Sequence, residues 1–104
     1  MDVQLKRGVL EICVLSAMLS EETYGYELIK KISPYVEISE STLYPILRRL
    51  ETGGFVRGRS AEHNGRLRKY YSITADGKKK IREFLTDWAD IVKIYEFIKG
   101  EYNE

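Results

Sequence analysis

Apolar residues recur along this chain with helical period in four places and with strand-like spacing in two. Leu43, Ile46, Leu47 and Leu50 fall at i, i+3, i+4 and i+7, which predicts an amphipathic helix over Ser39–Thr52. Leu5 to Leu19 predicts a helix apolar almost all round, hence buried on more than one side. Tyr24 to Ile32, with apolar groups at Leu28, Ile29 and Ile32, predicts a short helix capped by Thr23 and ended by Ser33-Pro34. Val36 and Ile38 alternate with Glu37, as a short extended stub would. Phe55 to Ile73 has strand character, and Asn64-Gly65 suits the two central positions of a type I′ hairpin. Finally, Ile81, Phe84, Trp88, Ile91, Tyr95, Ile98 and Tyr102 are spaced 3, 4, 3, 4, 3, 4, an unbroken heptad seam.

The punctuation between these stretches agrees. Ser39 or Ser41 caps the Ser39–Thr52 helix, and Gly53-Gly54 stops it. Pro45 costs one early backbone bond if Ser41 is the cap and kinks the first turns if Ser39 is. Thr74 caps the last helix, Asp76 sits near its positive end, and Gly100 ends it before Tyr102. From Ala75 to Lys99 that helix spans about 37 Å, more than so small a domain can cover. A second copy is the simplest cover. The expectation is a two-fold homodimer, with this helix packed on its symmetry mate and on the Leu5–Leu19 helix.

Charge changes the picture more than composition does. The chain has 104 residues, 43% hydrophobic and 32% charged, in the range of one ordered globular domain. Its net charge of +1 hides a gradient. Residues 1–38 sum to −2, residues 39–82 to +7 with eleven basic side chains, and residues 83–104 to −4. A basic middle between acidic ends marks a localised polyanion-binding face; a random solvated surface would rarely segregate its charges so cleanly. No apolar run reaches the roughly 20 residues a membrane span needs. A lone cysteine, Cys13, excludes an internal disulfide and fits a reducing, cytoplasmic compartment.

On the basic helix, Ser41, Tyr44, Arg48 and Thr52 share the side opposite the apolar stripe, flanked by Thr42 and Arg49. Hydroxyls and guanidinium groups suit a phosphate backbone and the acceptor-rich edges of a major groove. Taken alone, the helix would read as an ordinary amphipathic surface helix. The hairpin that follows holds Arg57, Arg59, Arg66, Arg68 and Lys69 against one acid, Glu62. A basic hairpin after a basic-faced helix is the layout of a winged helix-turn-helix, with the helix in a groove and the wing over the neighbouring backbone. The fold class expected is therefore mainly α with a small β-hairpin. Residues 1–73 form a winged helix-turn-helix DNA-binding domain and residues 74–104 a C-terminal dimerisation helix. His63 at the hairpin tip has no second ligand in sight and reads as a loop residue or a phosphate contact, not a metal site. Cys13 reads as a packed thiol. No phosphate loop, Ser/His/Asp set or metal-ligand cluster supports an enzyme, and no cofactor is expected. The stronger rival is a winged helix that docks proteins without DNA, but such a module has no need of +7 over 44 residues.

Thr42–Glu51 (T-L-Y-P-I-L-R-R-L-E), G-F-V at 54–56, Arg68–Gly77 (R-K-Y-Y-S-I-T-A-D-G) and Tyr24–Glu27 (Y-G-Y-E) together resemble the PadR family of bacterial transcriptional regulators. The single C-terminal helix resembles the small subfamily that includes the lactococcal multidrug-responsive regulator. Ser41 stands where the family usually has glycine, Leu67 where a proline often precedes R-K-Y-Y, and Arg59-Ser60 where many members carry tryptophan. The resemblance implies a dimeric repressor on a palindromic operator. Thr42, Tyr44 and Arg48 would face the groove, with Ser39, Ser41 and Arg49 beside them. Arg66, Arg68 and Lys69 would hold phosphates, joined by Tyr24. It also implies that Trp88 and its mate flank a pore that takes a planar aromatic or drug-like effector. Val14, Leu15, Met18, Phe84 and Tyr95 would be the wall. Otherwise Trp88 simply fills the seam.

Overall fold

The computed structural model describes residues 1–103, in which four helices surround a small antiparallel sheet. Helix α1 spans Val3–Ala17, β1 Thr23–Tyr24, α2 Gly25–Ile32, α3 Glu40–Thr52, β2 Val56–His63, β3 Arg66–Ile73 and α4 Ala75–Tyr102. The strand order is β1-β3-β2. One core joins them: Leu10, Val14 and Leu15 from α1 with Met18 at its C-cap, Leu28 and Ile32 from α2, Leu43, Ile46, Leu47 and Leu50 from α3, and Val56, Tyr71 and Ile81 beyond. The stripe predicted for α3 is thus its buried face, and this fixes the helix's rotation.

The expected mainly α fold with a β-hairpin is present, with corrections at several junctions. Helix α1 begins two residues earlier than Leu5 because the Asp2 carboxylate accepts from the Gln4 and Leu5 N–H groups, and it ends at Ala17. Thr23 is not a helix cap. It pairs with Tyr71, and Tyr24 with Tyr70, so the hairpin gains a third strand. Tyr24 occupies the cap position of α2 without a side-chain bond to the helix N–H groups; its hydroxyl donates instead to the Glu27 carboxylate at 3.3 Å. Val36–Ile38 is irregular, not extended strand, although Ile38 is buried. Ser39 is the cap residue of α3, so Pro45 lies inside the helix and leaves the Ser41 carbonyl without its i+4 donor. Even so, α3 continues to Thr52.

Helix α3 ends as its glycines predict. Gly54 adopts φ +80°, Gly54 N–H donates to Glu51 O and Phe55 N–H to Leu50 O, a Schellman closure. At the hairpin tip Asn64 (φ 51°) and Gly65 (φ 76°) make the type I′ turn, and the register runs from His63 opposite Arg66 to Val56 opposite Ile73. The Thr74 hydroxyl accepts from Gly77 N–H and donates to Gly54 O at 2.7 Å, bolting the start of α4 to the end of α3. Gly100 does not end α4, which continues to Tyr102, 28 residues in all.

Candidate nucleic-acid interface

With its leucines inward, α3 turns Ser41, Arg48 and Thr52 to solvent. Half-buried Pro45, between them on that face, was not singled out from sequence. Two flanks border this crest. Tyr44, 41% exposed, leans toward the start of α2, where Gly25 makes room for it. A Cβ at Gly25 would collide with the Tyr44 hydroxyl. Thr42 and Arg49 lie on the other flank, toward α1. The Ser39 hydroxyl sits 3.0 Å from that of Ser41 and 3.2 Å from that of Thr42, a hydroxyl cluster at the start of the helix. Arg49 donates through Nε and Nη2 to Glu11 of α1, both at 3.3 Å, so this cation is already engaged.

Strand alternation divides the basic wing between two faces. Arg66, Arg68 and Tyr70 share one face of β3 with Arg57 and Arg59 across the ladder; Lys69 and Tyr71 share the other. On the outer face aromatics and guanidinium groups interleave. The Arg68 guanidinium lies 4.0 Å from the Tyr24 ring centre, Tyr24 meets Tyr70 edge-on at 5.7 Å, and Arg59 lies 5.1 Å from Tyr70. Arg59 also donates to both Glu22 oxygens, at 2.8 and 2.5 Å. That hydrogen-bonded guanidinium holds the Glu22 carboxyl below the usual carboxylate range. On the inner face Lys69 Nζ donates to Glu51 Oε1 of α3 at 2.9 Å, which holds its ammonium above the usual lysine range. Gly58 leaves space for this pair: a Cβ there would stand 2.6 Å from Lys69 Cε and 2.8 Å from Glu51 Oε2.

Tyr24, Tyr44, Arg66, Arg68 and Lys69 border one cleft of about 300 Å³ between the wing and the starts of α2 and α3. His63 and the carboxylate of Glu40 also line it. Ser39, Ser41, Thr42 and Arg49 border a different groove, on the α1 side. Arg48, Arg66 and Arg68 have no carboxylate within ion-pair distance among the described residues; Arg49, Arg59 and Lys69 do. Sequence reasoning missed Glu11, Glu22 and Glu51 as partners because none is near its cation in sequence. It also missed Tyr70, although alternation from Arg68 could have placed it.

The residues named for an effector do not gather. Val14, Leu15 and Met18 are sealed in the core, at most 1% exposed, so they offer no surface to a ligand. Phe84 and Trp88 stack with ring centres 5.7 Å apart, and Trp88 remains 39% exposed beside still more exposed Tyr95. Burial pushes the Cys13 thiol up, as a packed cysteine requires. No group of His, Cys, Asp and Glu among the described residues could hold a metal ion, and no described helix is long and apolar enough to cross a membrane.

The fold recurs in known proteins. A transcriptional regulator from Streptococcus is 35% identical, with TM-score 0.81 over 94% of this chain and 99% of that one. A PadR family transcriptional regulator from Eggerthella lenta is 33% identical, with TM-score 0.83 over 92% and 86%. Bacillus subtilis PadR, solved in complex with operator DNA, shares the fold at 24% identity, with TM-score 0.70 over 74% of this chain and 46% of that one. The family described as transcriptional regulator PadR-like matches residues 14–83. The chain belongs to the PadR-like family of transcriptional regulators.

Proposed function

We propose that this regulator binds double-stranded DNA as a homodimer in the cytoplasm and represses transcription from a palindromic operator. Helix α3 enters the major groove, with Thr42, Tyr44 and Arg48 toward base edges. Arg66, Arg68 and Lys69 of the wing, with Tyr24, hold phosphates. The α4 seam joins the protomers, and two α3 helices about a two-fold axis read half-sites about 34 Å apart. One observation carries this reading: Arg48 on the exposed face of α3, and Arg66 and Arg68 lining the cleft between that helix and the wing, are all without carboxylate partners among the described residues. The fold shared with an operator-bound relative supports it. The test is a gel shift of DNA upstream of the protein's own coding sequence, titrated with salt. Affinity should fall steeply as salt rises, and near-constant binding would sink the phosphate-led mode.

Release from DNA by a planar aromatic effector is a second reading, supported by the half-open Phe84–Trp88 stack. Trp88 is the only tryptophan, so titration with planar cationic dyes should quench its emission. No quenching across a panel means that Trp88 only packs.

A further inference from the structure

The groove on the α1 flank of α3 has a volume of about 600 Å³, and no wing residue lines it. Its floor is apolar, with Leu10, Ile38 and Ile46. One wall is the first two turns of α1, which present Lys6 and Arg7; the other is α3, which presents Ser41 and Thr42. Neither Lys6 nor Arg7 has a carboxylate within ion-pair distance among the described residues. Glu37 is the one acid lining the groove, and Glu11 nearby is neutralised by Arg49. The N–H groups at the start of α1 are already taken by Asp2, so the cationic character comes from the side chains. The regional charge of −2 over residues 1–38 concealed these two cations.

A helix lying in a major groove has a phosphate-lined strand on each side, about 12 Å apart. The wing supplies cations to one side of α3. We propose that the groove between α1 and α3 seats the sugar–phosphate backbone of the other strand, with Lys6 and Arg7 binding its phosphates. This rests on the DNA-binding reading above. Lys6 and Arg7 contribute affinity without sequence choice, because phosphates carry none.

Fluorescence anisotropy of the full-length protein tests this with two duplexes, one from its own upstream region and one of scrambled sequence. K6Q/R7Q should weaken both duplexes by the same factor. With both protomers of the dimer altered, four phosphate contacts are lost, so the slope of log affinity against log salt should fall by about 3.6 and the affinity ratio between 50 and 200 mM salt should shrink on the order of a hundredfold. K6R/R7K should restore the slope, which separates charge from any damage to α1. K93Q/K99Q, at the far end of α4, should leave it unchanged. A wild-type slope in K6Q/R7Q overturns the groove assignment alone. Absence of salt-dependent binding by the wild-type protein overturns the DNA reading itself.

Discussion

Leu15 and Trp88 show how differently the two ends of this chain treat their apolar side chains. Leu15 is wholly enclosed by its own protomer. Trp88, near the middle of a seam just as apolar, stacks on Phe84 and keeps 39% of its surface open. Up to Ile81 the molecule closes on itself; from Leu85 onward Ile91, Val92, Ile94, Tyr95, Phe97 and Ile98 are all exposed. The lesson is one of helix geometry. A helix of 28 residues is about 42 Å long, and the winged part supports only its first turns, where Gly77 and Ile81 are buried. Stability of the first part should therefore be a property of the monomer, and that of the second a property of an assembly.

The largest effect should come from the closed part. Leu47→Ala removes a side chain that is 1% exposed and should cost about 2–5 kcal/mol in urea unfolding. A loss under about 1 kcal/mol would mean a looser core than the burial implies. Next, Ile91→Asp with Ile98→Asp should weaken self-association at least about a hundredfold. Sedimentation would show monomers at micromolar concentration while the urea midpoint of the core holds. An unchanged mass would place the interface elsewhere. Arg48→Ala should leave both core and assembly intact yet cost about 1–3 kcal/mol on the operator, and relax sequence choice if Arg48 is bidentate to guanine. The smallest effect should follow Glu51→Gln, which removes the carboxylate that competes with phosphate for Lys69. Affinity for any duplex should rise by about 0.2–1 kcal/mol, the range for one exposed ion pair, and the gain should vanish in high salt.

Much of this was legible from local pattern. The α3 stripe, the Asn64-Gly65 turn, the Thr74 cap and the spacing of the α4 apolar positions need only neighbours within a few residues, and each stands as read. What local pattern missed depends on distant partners. Thr23 looks like a cap until Tyr71, 48 positions on, pairs with it. Arg49 and Lys69 look like free cations until Glu11 and Glu51 arrive in space. Val14, Leu15 and Met18 share a helix with half-open residues, and only the packing of α2, α3 and the sheet decides which side is sealed. Gly100 failed as a terminator because it does not take the left-handed φ that Gly54 takes after α3, and α4 runs on to its cap at Asn103.

The bond from Thr74 to Gly54 has a mechanical consequence. With Thr74 N–H also donating to Phe55 O, α3 and α4 are tied at their shared corner, and the single residue between β3 and α4 is the one that makes both bonds. A tilt of α4 at that corner therefore carries α3 with it. If two α4 helices cross in a dimer, a change of a few degrees in their scissor angle shifts the distance between the two α3 helices without any part of the winged core unfolding.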